Sequence, residues 1–389
     1  MFGRPVRLFR MFGFNVRVDA SWLIIALLVT WSLAAAFREG HRFPLLQSYR
    51  FPPQAAWLMG LAGAVGLFLS IVIHELVHSL VARRFGLPMR GITLFIFGGV
   101  AEMADEPPSP LAEFAMALSG PIASFLVGLF CYAVFLTVRG VEALLPVAVV
   151  FGYVGSINFV LAAFNLIPGF PLDGGRVLRS LLWHWKRSLR WATRMAAQVG
   201  SGFGLAFMVF GVLTIVFVRG GFVGGLWWLL IGLFLRSAAS QSYQQVLIRQ
   251  MLAGEPVRRF MSTEPATVPA STTIDQFVEN YVYKHHHKMF PVVSDTGEAL
   301  LGCVTVRRVR EVPRDQWPLR TVSAVVAACS RANTISPDED AMAALARMYR
   351  SRVSRLMVVD SGRLVGILTL KDLLRFLSLK LELEEGEEP

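Results

Sequence analysis

Six apolar segments constrain the fold of this chain most strongly, because each is near the roughly 20 residues that a helix needs to cross a bilayer. They lie at about residues 20–37, 55–82, 111–138, 144–167, 202–218 and 222–239. The 389-residue chain is 54% hydrophobic and only 17% charged, which excludes an ordinary soluble protein. We therefore expect a polytopic α-helical membrane protein with about six transmembrane helices.

The net charge of +11 is explained by membrane topology, without a nucleic-acid partner. Lysine and arginine residues cluster beside the apolar segments, as the positive-inside rule expects of cytoplasmic loops. These clusters lie before the first segment, after the second, and between the fourth and the fifth. With six spans, this pattern predicts a multi-pass protein of the cell membrane with both termini in the cytoplasm.

The stretch GITLFIFGGVAEMADEPPSP, residues 91–110, separates the second and third apolar segments. It cannot span the bilayer, because glycine and proline interrupt it. The β-branched character of residues 92–97, followed by Gly98 and Gly99, predicts a β-hairpin or a re-entrant element against the helices. An interfacial loop is the alternative, since an apolar run by itself does not fix depth. A hairpin there would offer the edge of a strand to an extended peptide.

The chain changes character after Ser240, which predicts a transmembrane domain at residues 1–245 and a cytoplasmic domain at residues 246–389. The second domain contains an internal repeat, with copies at about residues 257–312 and 320–378. Each copy has the pattern of a strand, a helix, two strands and a helix. The sequence therefore adds an α/β module to the membrane domain.

The second apolar segment contains the sequence HELVH, which places ionisable side chains inside the membrane. Such residues are costly in lipid and by default mark a functional site. On a helix, His74 and His78 share one face and can bind one metal ion, whereas Glu75 is rotated by about 100° and can act on water. This zincin spacing predicts one Zn²⁺ per chain. The alternative is a pair of interior histidines satisfied by neighbouring helix residues.

A catalytic zinc ion normally has three protein ligands, so a third ligand must come from another segment. The candidate is Asp173, which is the only acid in NLIPGFPLDGG at the cytoplasmic end of the fourth segment. The two motifs lie at similar depths in the membrane. His74 precedes Arg83 by about 13 Å of helix, and Asp173 is likewise near the cytoplasmic end of its segment. An interfacial acid that caps the following helix is the alternative for Asp173.

These motifs together resemble the site-2 protease family of intramembrane zinc metalloproteases, specifically its prokaryotic group with a C-terminal pair of CBS domains. The resemblance rests on HELVH, FGGVAEM, ALSGPIASF and FNLIPGFPLDGG, and it covers nearly the whole chain. It implies that His74, His78 and Asp173 are the zinc ligands. It also implies that Glu75 is the general base, and that Asn165 contacts the substrate or the oxyanion.

The repeated module resembles a tandem pair of CBS domains. In that family, a Gly-apolar-apolar-Ser/Thr-x-x-Asp stretch holds the ribose and phosphates of an adenine nucleotide. The second copy has this stretch as Gly366, Thr369 and Asp372, which implies binding of ATP, ADP or AMP. The first copy has Arg308 where the aspartate would stand. A dimerisation module without a ligand is the alternative.

These features predict a zinc-dependent intramembrane endopeptidase. Its substrate would be the transmembrane helix of a membrane-anchored regulatory protein, and adenine nucleotide at the CBS pair would modulate it. The competing function is a CBS-regulated ion or metal transporter that uses the same residues as a transit site. Hydrolysis needs a base such as Glu75 beside the metal, whereas transport does not. The lipid bilayer is a partner in either case, nucleic acid is not, and the CBS pair allows a homodimer.

Overall fold

The computed structural model describes residues 6–11, 13–39, 50–87, 89–95, 98–103, 106–297 and 299–384. The chain divides into two compact units, Met1–Gln244 and Gln245–Pro389. The first unit contains the apolar segments and the second contains the sequence repeat.

Seven α-helices begin in the described part of the first unit. They are α1 Ala20–Glu39, α2 Pro53–Arg84, α3 Pro110–Val138, α4 Leu145–Asn165, α5 Asp173–Lys186, α6 Leu189–Phe217 and α7 Phe222–Leu252. All except α5 are long and apolar enough to cross a membrane. The prediction of about six transmembrane helices is therefore confirmed.

Two of the helices are longer than the apolar segments that predicted them. α6 begins at Leu189 and not near residue 202, and α7 ends at Leu252 and not near residue 239. An apolar run marks only the part of a helix that contacts lipid, because the helical hydrogen bonds within the backbone can continue into a polar environment.

A four-stranded sheet accompanies these helices. Its strands are β1 Val6–Met11, β2 Phe14–Val18, β3 Met89–Phe95 and β4 Gly98–Met103, in the spatial order β1-β2-β3-β4. β3 and β4 are the predicted hairpin, which is confirmed. β2 pairs in parallel with β3, and this extension by the N-terminal strands was not predicted. Parallel pairing joins distant segments, so it leaves no local turn signal in the sequence.

The sheet is anchored to α2 by one face of β2. Phe14, Val16 and Val18 are buried, and the residues between them are partly exposed, as expected of a strand with one covered face. The buried side chains pack with Val72 and Leu76 of α2. These two residues flank the first histidine of HELVH, so the sheet is fixed beside the predicted metal site.

The loop between α4 and α5 lies directly against α6. The Phe170 N–H donates a hydrogen bond to the Ala196 carbonyl at 3.2 Å. A Cβ atom on Gly200 would collide with the Phe170 carbonyl oxygen, and one on Gly169 would lie 2.5 Å from the Gly200 Cα. Only glycine allows this approach, which leads the chain to Asp173 at the start of α5.

The second unit contains both copies of the repeat. The first copy comprises β5 Val268–Pro269, α8 Ile274–Phe277, a π-helical turn Val278–Val282, α9 Tyr283–His285, β6 Met289–Val293, β7 Leu300–Thr305 and α10 Val306–Val309. It is followed by the short strand β8 Ala327–Ala328. The second copy comprises β9 Thr334–Ile335, α11 Ala341–Ser351, β10 Arg355–Asp360, β11 Arg363–Thr369 and α12 Leu370–Glu384. Short 3₁₀ helices in the chain are Glu142–Leu144, Val257–Arg259, Arg314–Gln316 and Val322–Val325.

The two copies form sheets of related order, β5-β6-β7-β8 and β9-β10-β11. The predicted succession of strand, helix, two strands and helix is confirmed in both. Equivalent positions are buried in their central strands, Phe290 and Val292 in β6 and Leu356 and Val358 in β10. The internal repeat in the sequence therefore corresponds to a repeated core.

Candidate metal centre

Three side chains from two helices meet inside the first unit. His74 and His78 of α2 approach Asp173, the first residue of α5. The Asp173 Oδ2 atom lies 3.1 Å from the Nε2 atom of each histidine, and the two Nε2 atoms are 3.1 Å apart. Both histidines are buried, and Asp173 is partly buried. Among the described residues, the ligand atoms of these three side chains lie close enough together to hold one metal ion.

Helix α3 orients both histidine rings through hydrogen bonds to their Nδ1 atoms. The Nδ1 atom of His78 lies 2.7 Å from the carbonyl oxygen of Met116, which can only accept a hydrogen bond. His78 therefore has its hydrogen on Nδ1, and in the neutral ring Nε2 presents a lone pair to the centre. His74 Nδ1 lies 2.9 Å from the hydroxyl oxygen of Ser124. Such outer contacts are what turn histidine nitrogens toward a metal ion.

The donor set fits a zinc ion. A tetrahedral zinc ion with ligands at about 2.0–2.1 Å has donor atoms roughly 3.3–3.4 Å apart. The three observed separations are 3.1 Å each. Two imidazole nitrogens and a carboxylate oxygen that point at one position need a cation or protons between them, because their lone pairs repel. A His₂-carboxylate set is an ordinary zinc site and leaves a fourth position open.

Gly120 allows α3 to come this close to the centre. A Cβ atom on Gly120 would collide with the His78 ring and would lie 2.8 Å from the His74 Cε1 atom. A side chain at this position would push both rings away from Asp173. Sequence reasoning did not assign a role to Gly120, Ser124 or the Met116 carbonyl. The only signal was a small residue and a serine at helical spacing in ALSGPIASF.

Glu75 lies beside the three ligands without joining them. Its partly exposed carboxylate interacts electrostatically with His78, His74 and Asp173. No described residue forms a hydrogen bond with that carboxylate. Asn165 is the last residue of α4 and is partly exposed, and its side chain also forms no hydrogen bond within the described part of the chain. The structure thus brings four of the five predicted residues together and leaves the Asn165 amide unengaged.

The predicted nucleotide residues lie where β11 meets α12. Asp372 Oδ2 accepts a hydrogen bond from the Thr369 hydroxyl at 2.6 Å, and the Asp372 N–H donates to the same hydroxyl at 3.1 Å. This reciprocal pair caps the first turn of α12. Gly366 allows close backbone packing, because a Cβ atom there would lie 2.6 Å from the Ser262 carbonyl oxygen. The motif residues therefore have a structural role of their own.

Arg355 is a candidate anion ligand that sequence reasoning missed. It is the first residue of β10, and its buried Nη1 atom has no hydrogen-bond partner among the described residues. Burial lowers the pKa of the Arg355 guanidinium, while the Asp372 carboxylate acts in the opposite direction. In the first copy, Arg308 Nη1 instead donates to the Val326 carbonyl at 2.9 Å. Within the described residues, the second copy therefore combines the aspartate with a guanidinium nitrogen that has no hydrogen-bond partner.

Comparisons with known proteins show the family of this chain. Residues 62–148 and 141–211 match the model of peptidase family M50, and residues 257–315 and 323–379 match the CBS domain. A candidate zinc metalloprotease of Mycobacterium tuberculosis, named Rip3, is 33% identical over 371 residues, which cover 95% of this chain and 92% of that protein. The chain belongs to peptidase family M50.

Other M50-type proteins match over most of their length. A candidate zinc metalloprotease of Synechocystis is 33% identical over 367 residues, covering 93% of each protein. The solved structure of the site-2 protease from Methanocaldococcus jannaschii aligns with a TM-score of 0.43 and 27% identity, covering 62% of this chain and 95% of that one. The matches to the M50 and CBS models and the relatives at 33% identity confirm the resemblance to the site-2 protease family with tandem CBS domains.

We expect the zinc content to depend on Asp173. Detergent-purified wild-type protein should contain about one zinc ion per chain, and Asp173→Ala should lose most of it, because two histidines alone do not make a stable site. Elemental analysis after dialysis measures this. Glu142→Ala, which removes an exposed acid from the same unit, should retain zinc. Equal zinc content in all three proteins would contradict the assignment of Asp173.

Proposed function

We propose that this M50 chain is a zinc-dependent intramembrane endopeptidase that cleaves a peptide bond within or near the transmembrane helix of a membrane-anchored regulatory protein. The observation that supports this most directly is the convergence of His74, His78 and Asp173 on one point, with the unengaged Glu75 carboxylate beside them. α2 is long and apolar enough to span a membrane, so the proposed chemistry takes place within the helix bundle.

The roles of the protein side chains follow from this arrangement. When bound, zinc supplies Lewis acidity, which acidifies water and polarises a peptide carbonyl. Glu75 accepts the proton of the attacking water and delivers it to the leaving nitrogen. Asn165 has an unengaged amide N–H at the end of α4 and donates it to the developing oxyanion of the substrate. His74 and His78 are held in place by α3 and need no rearrangement during the reaction.

Transport of an ion through the same residues is the competing function. A transit site needs ligands along a path, but it does not need a proton acceptor beside the ligands. Glu75 is placed as such an acceptor and is not needed to complete the ligand set. The relatives named as zinc metalloproteases also favour hydrolysis.

We expect Glu75→Gln to separate metal binding from catalysis. The substitution keeps the size of the side chain and removes the proton acceptor, so cleavage should fall roughly 10²–10⁴-fold with zinc content unchanged. Reporter proteins with a single transmembrane helix, co-expressed with each variant and examined on gels for a cleaved fragment, measure this. Full cleavage by Glu75→Gln would rule out the general-base role. Glu142→Gln is the matched control and should cleave normally.

The substrate enters as an extended segment along β4, in this proposal. A helical peptide bond is shielded and hydrogen-bonded, so a transmembrane substrate must unwind before attack. Within the described part of the sheet, β4 pairs only with β3, and its other edge remains available for strand addition. The edge therefore offers backbone hydrogen bonds to an unwound segment.

We expect proline in β4 to impair cleavage without releasing zinc. Neighbouring residues of a strand direct their N–H groups to opposite sides, so only one of Val100 and Ala101 donates toward the open edge. Proline at that residue removes a donor for the substrate, whereas proline at the other disturbs pairing with β3. Both variants should be compared in the reporter assay, with zinc content as the control. Normal cleavage by both would refute the edge role. The sequence also suggests Ile96 of the hairpin for such a substitution, but Ile96 lies outside the described residues.

We also propose that the CBS pair binds ATP, ADP or AMP and that the bound nucleotide modulates cleavage. Thr369 and Asp372 present a hydroxyl and a carboxylate at the start of α12, and Arg355 adds an unengaged guanidinium nitrogen near Asp372. A carboxylate suits the hydroxyls of a ribose, and a guanidinium suits a phosphate. Nucleotide can shift activity only if it binds one arrangement of the protein more tightly.

We expect Asp372→Ala to weaken nucleotide binding at least about tenfold, because a charge-assisted hydrogen bond is lost. Calorimetric titration of the full chain with ATP, ADP and AMP measures the affinity. Asp360→Ala, which removes an exposed acid from the same module, is the control. Cleavage that is indifferent to each nucleotide in the wild type would refute modulation, and wild-type affinity in Asp372→Ala would refute the site.

The proposed topology places both termini in the cytoplasm of a multi-pass protein of the cell membrane. Basic residues before α1 and after α2 support this, by the positive-inside rule. The proposed domains are the transmembrane protease, residues 1–245, and the regulatory CBS pair, residues 246–389. The proposed partners are the bilayer, the membrane-anchored substrate and a second copy of the chain joined through the CBS pair.

A further inference from the structure

A buried ion pair joins α5 to α3 outside the metal centre. The Nε atom of Arg179 donates to the Glu113 Oε1 atom at 2.6 Å, and the Nη2 atom contacts the same oxygen. The side chain of Glu113 is 0% exposed and that of Arg179 is 6% exposed. The guanidinium also lies 3.6 Å from the Glu106 carboxylate and 5.2 Å from the Phe170 ring centre. Arg179 is therefore held by contacts on several sides.

The pair joins two helices that both contribute to the metal centre. Arg179 follows Asp173 by less than two turns of α5. Glu113 lies in the first turn of α3, one turn before Met116, whose carbonyl orients His78. The distance between the third ligand and the histidine pair is thus determined by how α5 lies on α3.

The first turn of α5 is positioned mainly by close packing of its backbone against the preceding loop. Asp173 is followed by Gly174 and Gly175, which have no side chains to pack. The preceding loop leaves no space for a side chain at Gly174, because a Cβ atom there would collide with the Leu166 and Ile167 carbonyls. The first polar anchor that is fully buried along α5 is therefore Arg179.

We propose that Arg179 and Glu113 are positioning residues that set the approach of the Asp173 carboxylate to His74 and His78. This inference rests on the metal site of the proposed function. Glu113 Oε2 has no hydrogen-bond partner in the described part of the chain, so Arg179 is the main compensation of the buried carboxylate. A buried ion pair adds little net stability compared with an apolar pair, but it fixes geometry through its charge and its planar fork.

The test compares four variants of the full-length protein in detergent. Arg179→Met removes the charge, Arg179→Lys keeps the charge without the fork, and Glu113→Gln removes the partner charge. Phe135→Ala is the control for lost stability. Phe135 is buried on the same helix, packs with Ala148 of α4, and lies about 33 Å along α3 from Glu113. Thermal unfolding of each protein gives the loss of stability against which the metal data are compared.

Two measurements report on the ligand geometry without using activity. The first is the resistance of bound zinc to a competing chelator, and the second is the visible absorption spectrum of the protein loaded with Co²⁺ alone. The variants of Arg179 and Glu113 should lose zinc about 10–100-fold more readily than the wild type, as supporting contacts of metal ligands do. Their cobalt spectra should shift toward that of Asp173→Ala, because the carboxylate no longer reaches the ion.

The control determines what the result means. Phe135→Ala should unfold at a lower temperature and yet keep the wild-type cobalt spectrum. The inference is overturned if the folded variants of Arg179 and Glu113 keep the wild-type spectrum and zinc resistance, or if Phe135→Ala loses zinc in proportion to its stability. If Arg179→Met does not fold, Arg179→Lys is compared with the wild type in its place. A wild-type protein that binds neither metal would instead refute the proposed metal site itself.

Discussion

Polar side chains placed among apolar helices must be satisfied by one another, because neither lipid nor a packed apolar core offers them hydrogen bonds. This constraint organises the first unit. The Nδ1 atom of His78 is hydrogen-bonded to a backbone carbonyl of α3, and the Nδ1 atom of His74 is hydrogen-bonded to the Ser124 hydroxyl. What remains are two ring nitrogens and one carboxylate oxygen that point at the same position. A cation or protons between them would relieve the repulsion of their lone pairs, so the cost of burial is connected to the proposed function of the site.

Helix α3 supplies the framework for this arrangement. It supports the histidine rings from behind, approaches them closely at Gly120, and contacts α5 through Glu113. The loop that leads to Asp173 depends on a similar close approach at Gly200 of α6. In membrane proteins, small residues allow helix backbones to approach closely, because burial from water does not drive the association of the helices. Here the close approaches also determine where the third ligand lies.

The second unit shows that a binding motif can also have a structural role. Thr369 and Asp372 satisfy each other as the cap of α12, so their presence does not depend on a ligand. Among the described residues, the buried Nη1 atom of Arg355 has no hydrogen-bond partner. An uncompensated buried donor is costly, and a bound phosphate would compensate it. Arg355 therefore supports the proposed binding of a nucleotide more strongly than the motif does.

The features that depend on local patterns could be predicted from the amino-acid sequence. The lengths of the apolar runs predicted six spanning helices, the spacing of His74 and His78 predicted one ligand face, and the duplicated segment predicted a repeated α/β module. Asp173 could also be predicted as the third ligand, because it is the only acid in its motif. The tertiary structure alone showed that the Met116 carbonyl and Ser124 orient the histidines, that β2 pairs with β3, and that Arg179 meets Glu113 across 66 residues. These contacts join distant segments through helix packing, so no local periodicity or spacing records them.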